Sequence, residues 1–219
     1  MPPDFGEKAG TRFQQAVADA PFFDPLAAIE ADHALHYELC DMLEEIADSL
    51  PAAFRPERCQ QALGTLRVDL PRHHADEEYG LFPLLKAVAE AASLGHALGR
   101  LEEDHQGDEA NCDDLIPILE LMANGEPPDN PEMVGYMLRG FFEAYRRHVA
   151  WENSIVLPLA RKHLNAAAIA ELRRVMLANR AAVGGLAGAA TATGHGTTGA
   201  VRSLLRGLCG KADPKIGRR

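Results

Sequence analysis

Two short stretches of this chain are versions of one another, and together they restrict what it can fold into. Residues 73–83 read HHADEEYGLFP and residues 148–158 read HVAWENSIVLP. In each, a His is followed four residues later by a Glu, and ten residues later by a Pro that two apolar side chains precede. His73, Glu77, Leu81, Phe82 and Pro83 thus answer to His148, Glu152, Val156, Leu157 and Pro158. On an α-helix, positions i and i+4 lie on one face, so each His and Glu pair can point at a single target. An imidazole and a carboxylate aimed together suggest a metal ion.

Both stretches sit in helical patterning. From Asp24-Pro25, a capping residue followed by a proline suited to the first turn, Leu26, Ile29, His33, His36, Cys40, Leu43, Ala47 and Leu50 step by three and four residues up to Pro51. A second helix from near Pro56 carries Cys59, Leu63, Leu66, Leu70, His73, Glu77, Leu81 and Leu84 in step, and Pro71 is expected to kink it or loosen one turn. On that helix His74 and Glu78 align with Gln60, Arg67 and Pro71, so they are expected on a more polar face and His73 and Glu77 inward. A third helix, from about Leu94 to Met122, aligns Leu98, Leu101, His105, Asp108, Cys112, Leu115, Leu119 and Met122, and ends at Asn124-Gly125. A fourth, from about Glu132, aligns Val134, Leu138, Phe141, Tyr145, His148, Glu152 and Ile155. Each seam contains a histidine.

No segment alternates as strands do. The expected fold class is all-α: an up-down-up-down four-helix bundle, with an additional C-terminal helix from Asn165 to about Arg180 covering one end. Residues 1–23 are expected to be an N-terminal extension with a short helix around Thr11 to Asp19, residues 24–180 the bundle, and residues 181–219 a Gly/Ala-rich basic tail, flexible and disordered. His33 to His105 is 72 residues and His73 to His148 is 75, a spacing that suggests two helix pairs related by a rough twofold axis.

With 47% hydrophobic and 25% charged residues among 219, the composition is that of one soluble globular domain. No run approaches the roughly 20 apolar residues of a membrane span, and MPPDFGEKAGTRFQQ lacks the pattern of a secretory signal. A cytoplasmic location is therefore expected. Cys40, Cys59, Cys112 and Cys209 form no CxxC pair, which argues for reduced thiols rather than a disulfide scaffold or a cysteine zinc site. The net charge is −10; six basic residues against Asp213 give residues 181–219 a charge of +5, which leaves −15 on residues 1–180. So acidic a body repels phosphates, so nucleic acid is not an expected partner. The basic segment AVRSLLRGLC in the tail offers a possible contact for a protein partner.

Four histidines and two glutamates on core seams require compensation, because an unpaired carboxylate in a bundle core is strongly destabilising. Internal His and Glu ion pairs are one solution. Two divalent cations are another, and they satisfy all six groups at once, with imidazoles as terminal ligands and carboxylates able to bridge. Mixed His and carboxylate ligation suits iron; zinc or manganese fits the ligand types too. Ferritin-like bundles use Glu-x-x-His, whereas both motifs here read His-x-x-x-Glu.

On these residues the chain resembles the hemerythrin family, specifically bacterial hemerythrin-like HHE cation-binding domains, with their pattern of His, His-x-x-x-Glu, His, His-x-x-x-Glu. The matching positions are His33 in IEADHALHYEL, His73 and Glu77, His105 in LEEDHQGDE, and His148 and Glu152, within roughly Pro25 to Arg180. The resemblance implies a four-helix bundle holding two iron ions with an oxo or hydroxo bridge, spanned by Glu77 and Glu152. It also implies a small ligand: dioxygen, nitric oxide or peroxide. Oxygen-carrying members place a second His one turn after the first on the third helix; here that position is Glu109, beside Asp108. Either one coordination position more is open or a carboxylate replaces an imidazole, so simple oxygen carriage is not the expectation. His36 lies nearer the centre of its apolar face than His33 and is the alternative first-helix ligand; His74 is the next alternative. His96, His163 and His195 are expected in solvent. An iron- or redox-sensing module acting through a partner, and a metal-free helical interaction protein, are the competing readings.

Overall fold

The computed structural model describes residues 23–88 and 92–190, together with Val201, Ser203, Leu204, Leu205 and Gly207. The expected helix at Thr11 to Asp19 lies outside the described residues. The first helix, α1 (Pro25–Ser49), begins where the sequence indicates: the Asp24 carboxylate accepts from the backbone N–H groups of Leu26 and Ala27 at 3.0 and 3.3 Å, with Pro25 in the first turn. Next comes α2, a continuous helical run over 56–88. Its α-helical pieces Pro56–Gly64, Leu70–Asp76 and Phe82–Val88 are joined by two wider π turns, Thr65–Asp69 and Glu77–Leu81. Then come α3 (Ala92–Ala123) and α4, which runs as Pro131–Trp151, a π turn Glu152–Val156 and Leu157–His163; last is α5 (Ala166–Ala190). Among the described residues there is no strand, as the sequence pattern leads one to expect of an all-α bundle.

Each π turn closes with a backbone bond to the carbonyl five residues back, from Leu70 to Thr65, Phe82 to Glu77 and Leu157 to Glu152. In all three the next residue is a proline: Pro71, Pro83 and Pro158. A proline ring inside a helix collides with the carbonyl four residues earlier, and one extra residue in the turn makes room for it. The loosening expected at Pro71 is therefore present, and it recurs at both members of the repeated motif, beginning at the motif's glutamate. Pro117 lies within α3 without a widened turn; we have no physical account of that exception.

The extra residue advances the side-chain phase by about a third of a turn. This corrects two seam positions. Beyond Glu77, Leu85 is fully buried and Leu84 only partly; beyond Glu152, Val156 is fully buried whereas Ile155 is 40% exposed.

Side-chain pairs between helices run in opposite sequence directions, so neighbours are antiparallel. From α1 to α4, Asp48 meets Arg139, Asp41 and Glu44 meet Arg146, and Glu30 meets Arg161. From α2 to α3, Arg67 meets Glu120 and Lys86 meets Glu102. Between α3 and α4 the chain reverses at Gly125, whose φ of +84° is open to glycine without strain. The bonds from Gly125 N–H to Met122 O and from Glu126 N–H to Leu121 O close the end of α3 there.

The core is divided in two. One apolar cluster joins Leu43, Leu66, Leu115, Leu119, Leu138 and Phe141 at one end of the bundle. The other joins Leu26, Ile29, Leu81, Phe82, Leu98, Leu101 and Val156 at the opposite end. The histidines and glutamates form the layer between.

The fifth helix starts at the expected cap, Asn165, which accepts from Ala168 N–H at 3.0 Å. Its course differs from the expectation in two ways. It continues past Arg180 to Ala190, so part of the presumed disordered tail is helical. It also covers one end of the bundle through Leu172 and Met176, then runs on along α1 and the middle of α2. Val201 and Leu205 pack on Ala75 and Val183, so this part of the tail lies against the bundle as well; residues 191–200 and 208–219 are outside the described set. Among the described residues no helix is long and apolar enough to cross a membrane.

Candidate metal centre

All six residues singled out by the motifs converge. His33, His73, Glu77 and Glu152 bring ligand-type atoms within 4.8 Å of one another, as do Glu77, His105, His148 and Glu152. The two groups share both glutamates. Every imidazole faces the centre through Nε2: His73 lies 3.3 Å and His105 3.4 Å from Glu77 Oε2, His33 3.3 Å from Glu152 Oε2, and His148 3.0 Å from Glu152 Oε1. His33 and His105 also approach the other glutamate, at 3.8 and 3.9 Å. Both glutamates are completely buried.

The outer ring nitrogens explain the orientation. His33 Nδ1–H donates to Asn153 Oδ1 at 2.7 Å, and His105 Nδ1–H donates to Glu78 Oε1 at 3.0 Å. Since these oxygens only accept, Nδ1 holds the proton of the neutral ring, whose Nε2 lone pair then faces inward. His148 Nδ1 faces Asp108 Oδ2 at 3.8 Å. Inside the ring, hydrogen bonding is nearly absent: His33 Nε2, His73 Nε2, His105 Nε2, both Glu77 oxygens and Glu152 Oε2 are buried without a partner. So many orphaned donors and acceptors at one point would be costly in a native core.

Without a cation the carboxylates recruit protons instead. Burial lowers the affinity of His33 for a proton, but Glu152 and Glu77 outweigh it and push the imidazole up to about 10; Glu77 and Glu78 do the same for His105, also to about 10. Burial also drives Glu152 upward, yet His148, His33 and His105 together hold it well below the usual carboxylate range. His73, fully buried and beside other imidazoles, is held well below its ordinary value.

The alternatives fall elsewhere. His36 is fully buried and in neither group; its Nδ1 is 3.0 Å from the Tyr145 hydroxyl, and its ring centre lies 4.6 Å from that of His73. Glu109, half-buried beside His74, Glu78 and Tyr79, joins neither group. His74 overturns the expectation of a polar face: it is 2% exposed and its ring stacks on His105 at 3.9 Å and 10°. The reason is that residues 70–77 are buried all round, by the bundle on one side and by α5 and Leu205 on the other. Glu78 is also turned inward, as the acceptor for His105. His96 and His163 are exposed, as expected of solvated residues, and His195 is outside the described residues.

An open cleft of about 650 Å³ between α3 and α4 reaches His148. Arg100, Glu103, Asp104 and Arg147 stand around it, and Leu101, Asp108, His148 and Trp151 also line it. Burial raises Asp108 to about 6 against the opposing pull of His148.

A further polar group was not evident in the sequence. Asp32, Arg72, Asp76, Asn179 and Arg180 are all buried and bonded to one another across α1, α2 and α5. Three of them directly precede His33, His73 and Glu77, which is the one signal a sequence reading could have used.

Residues 24–160 match the profile of the Hemerythrin HHE cation binding domain. No curated protein and no solved structure gave a match. With more than half of its length covered and the motif histidines and glutamates gathered in one buried layer, the chain belongs to the hemerythrin HHE cation-binding family, a family of metal-binding helical domains.

Proposed function

We propose that the buried layer holds two iron ions and that the loaded protein binds or reacts with a small oxidant or diatomic ligand, of the kind of dioxygen, nitric oxide or peroxide. In this reading His33 and His73 would hold one ion and His105 and His148 the other, each with the help of Glu77 and Glu152. The observation that carries it is the set of inward Nε2 and carboxylate atoms left without hydrogen bonds. Internal ion pairs alone account for the layer poorly: of the inward contacts only His148 to Glu152 is a hydrogen bond. A donor set of four imidazoles and two carboxylates suits divalent iron, and the residues present fit such a pair.

Bound ferrous ions would supply redox equivalents and open coordination positions. The chain's own residues do the rest. Asn153 and Glu78 hold His33 and His105 in the ligating tautomer. Phe82 and Tyr145, stacked against His105 and His148, exclude water on two sides. The cleft beside Asp108 and His148 leaves a way in from solvent that suits a small molecule. Metal analysis of protein purified in air, with its visible spectrum, tests the reading. About two irons per chain and oxo-bridged absorption are expected; less than one iron, or full occupancy by zinc, would overturn it.

A further inference from the structure

The fifth helix begins after the family match ends at residue 160, yet its buried polar residues reach back to the turns that carry half of the metal layer. Arg180 Nη1 donates to Asp76 Oδ2 at 2.6 Å and Nη2 to Asp32 Oδ2 at 3.3 Å. Asn179 Nδ2 donates to the other oxygen of Asp76 at 2.8 Å, and Arg72 Nη2 donates to the other oxygen of Asp32 at 3.0 Å. Arg72 also reaches Asp69 at 2.9 Å, and the Arg180 guanidinium lies 5.6 Å from the centre of the Phe23 ring. Asp32, Arg72, Asp76, Asn179 and Arg180 are each at least nine-tenths buried.

The network is one-sided. Asp32, Arg72 and Asp76 are the residues immediately before His33, His73 and Glu77. On a helix, consecutive side chains diverge by about 100°, so a turn can aim one side chain into the bundle and the preceding one outward at α5. None of the bonds of Asn179 and Arg180 reaches α3 or α4, which carry His105 and His148. Of that second pair, His148 lines the open cleft between α3 and α4.

We infer that Arg180, assisted by Asn179, is a positioning residue that locks the turns bearing His33 and Glu77, and so holds the His33 and His73 half of the metal layer more firmly than the His105 and His148 half, which it reaches only through the α2 turn at Glu77. The inference rests on the two-ion reading. An arginine suits the task because its planar fork spans two carboxylates in fixed geometry, which a lysine ammonium cannot do. Breaking the fork frees the turns bearing His33 and Glu77, and loss of such outer partners typically costs 10- to 100-fold in metal affinity.

The test measures metal per chain and the time course of chelator extraction for the full-length protein, Arg180→Lys, Arg180→Met and, as a control for general loosening of α5, Met176→Ala. Met176 is a fully buried member of the neighbouring apolar cluster. Arg180→Lys keeps the charge and so guards against a variant that fails to fold. The wild type should release two ions. In Arg180→Lys one ion should leave at least tenfold faster and the other, reached only through the α2 turn at Glu77, should be hastened by a clearly smaller factor, while Met176→Ala releases both as wild type does or speeds both alike. In a His148→Ala background Arg180→Lys should hasten loss of the remaining ion by a larger factor than it does in a His73→Ala background. A wild type with fewer than two ions sinks the two-ion reading, and this inference with it. Two ions in the wild type, with Arg180→Lys releasing both as wild type does or both faster by the same factor, sinks the inference alone.

Discussion

At the residue scale, the two shared carboxylates are the least replaceable atoms of the centre. Glu77 and Glu152 belong to both four-residue groups, whereas each histidine belongs to one. Glu77→Gln keeps the shape and removes the charge, so both ions should weaken by more than the tenfold typical of outer partners; His148→Ala should cost one. Metal counts on the two variants decide it, and equal losses would remove the sharing argument. The protonation of the layer gives a second prediction. With His33 and His105 raised to about 10 in the metal-free protein, both carry a proton at neutral pH. Because the folded value lies above the ordinary 6.5, the stability these protons lend is complete below pH 6.5 and is lost as pH rises through 10. A cation competes with them, so affinity should climb with pH across that window and loading at pH 7 should release protons. Calorimetric titration with zinc in buffers of different ionisation heat reads both, and a pH-independent affinity without proton release would contradict the assignment. The six residues were readable in the sequence because each occupies a periodic apolar seam or an i, i+4 motif. Asp32, Asp76 and Arg180 were not, because bonds 104 and 148 residues apart leave no periodic trace.

At the scale of elements, the seams held until the first widened turn beyond each motif. A reading at 3.6 residues per turn carries the phase through His73, Glu77, His148 and Glu152, then arrives one residue early, at Leu84 and Ile155 in place of Leu85 and Val156. The signal was in plain view as Leu-Pro71, Phe-Pro83 and Leu-Pro158, but a proline in a helix can kink it, end it or widen it, and nothing local selects among these. The phase shift makes a prediction of its own. Leu85→Ala empties a fully buried position and should cost about 2–5 kcal/mol, whereas Leu84→Ala, at a partly exposed one, should cost clearly less. Denaturant midpoints of the two variants compare them directly; the reverse order would mean that the helix continues without the extra residue. His74 was misplaced for a different reason. Its face counts as polar when α2 is considered alone, and only the covering by α5 and Leu205 buries it.

At the scale of the molecule, the polar layer divides one core into two, and that division predicts how metal and stability are coupled. Small zinc modules unfold without their ion because they have no other core. Here two separate apolar clusters bridge the helices on either side of the layer, so the metal-free chain should remain folded and helical. It should nonetheless be weaker, because four imidazoles and two carboxylates then sit buried with most of their inward atoms unpaired. An ion held at a hundred times its dissociation constant stabilises by about 2.7 kcal/mol. For a chain of this size that corresponds to roughly 5–11 °C in Tm, at about 2–4 °C per kcal/mol. Removing metal with a chelator should therefore lower Tm by at least that interval while leaving the far-ultraviolet helical signal below the transition unchanged. Because the competing protons favour the metal-free state at low pH, the interval should widen between pH 6 and pH 8.5. A chelated protein without helix would show that the two clusters cannot stand alone, and one with unchanged Tm would show that the layer is satisfied without metal.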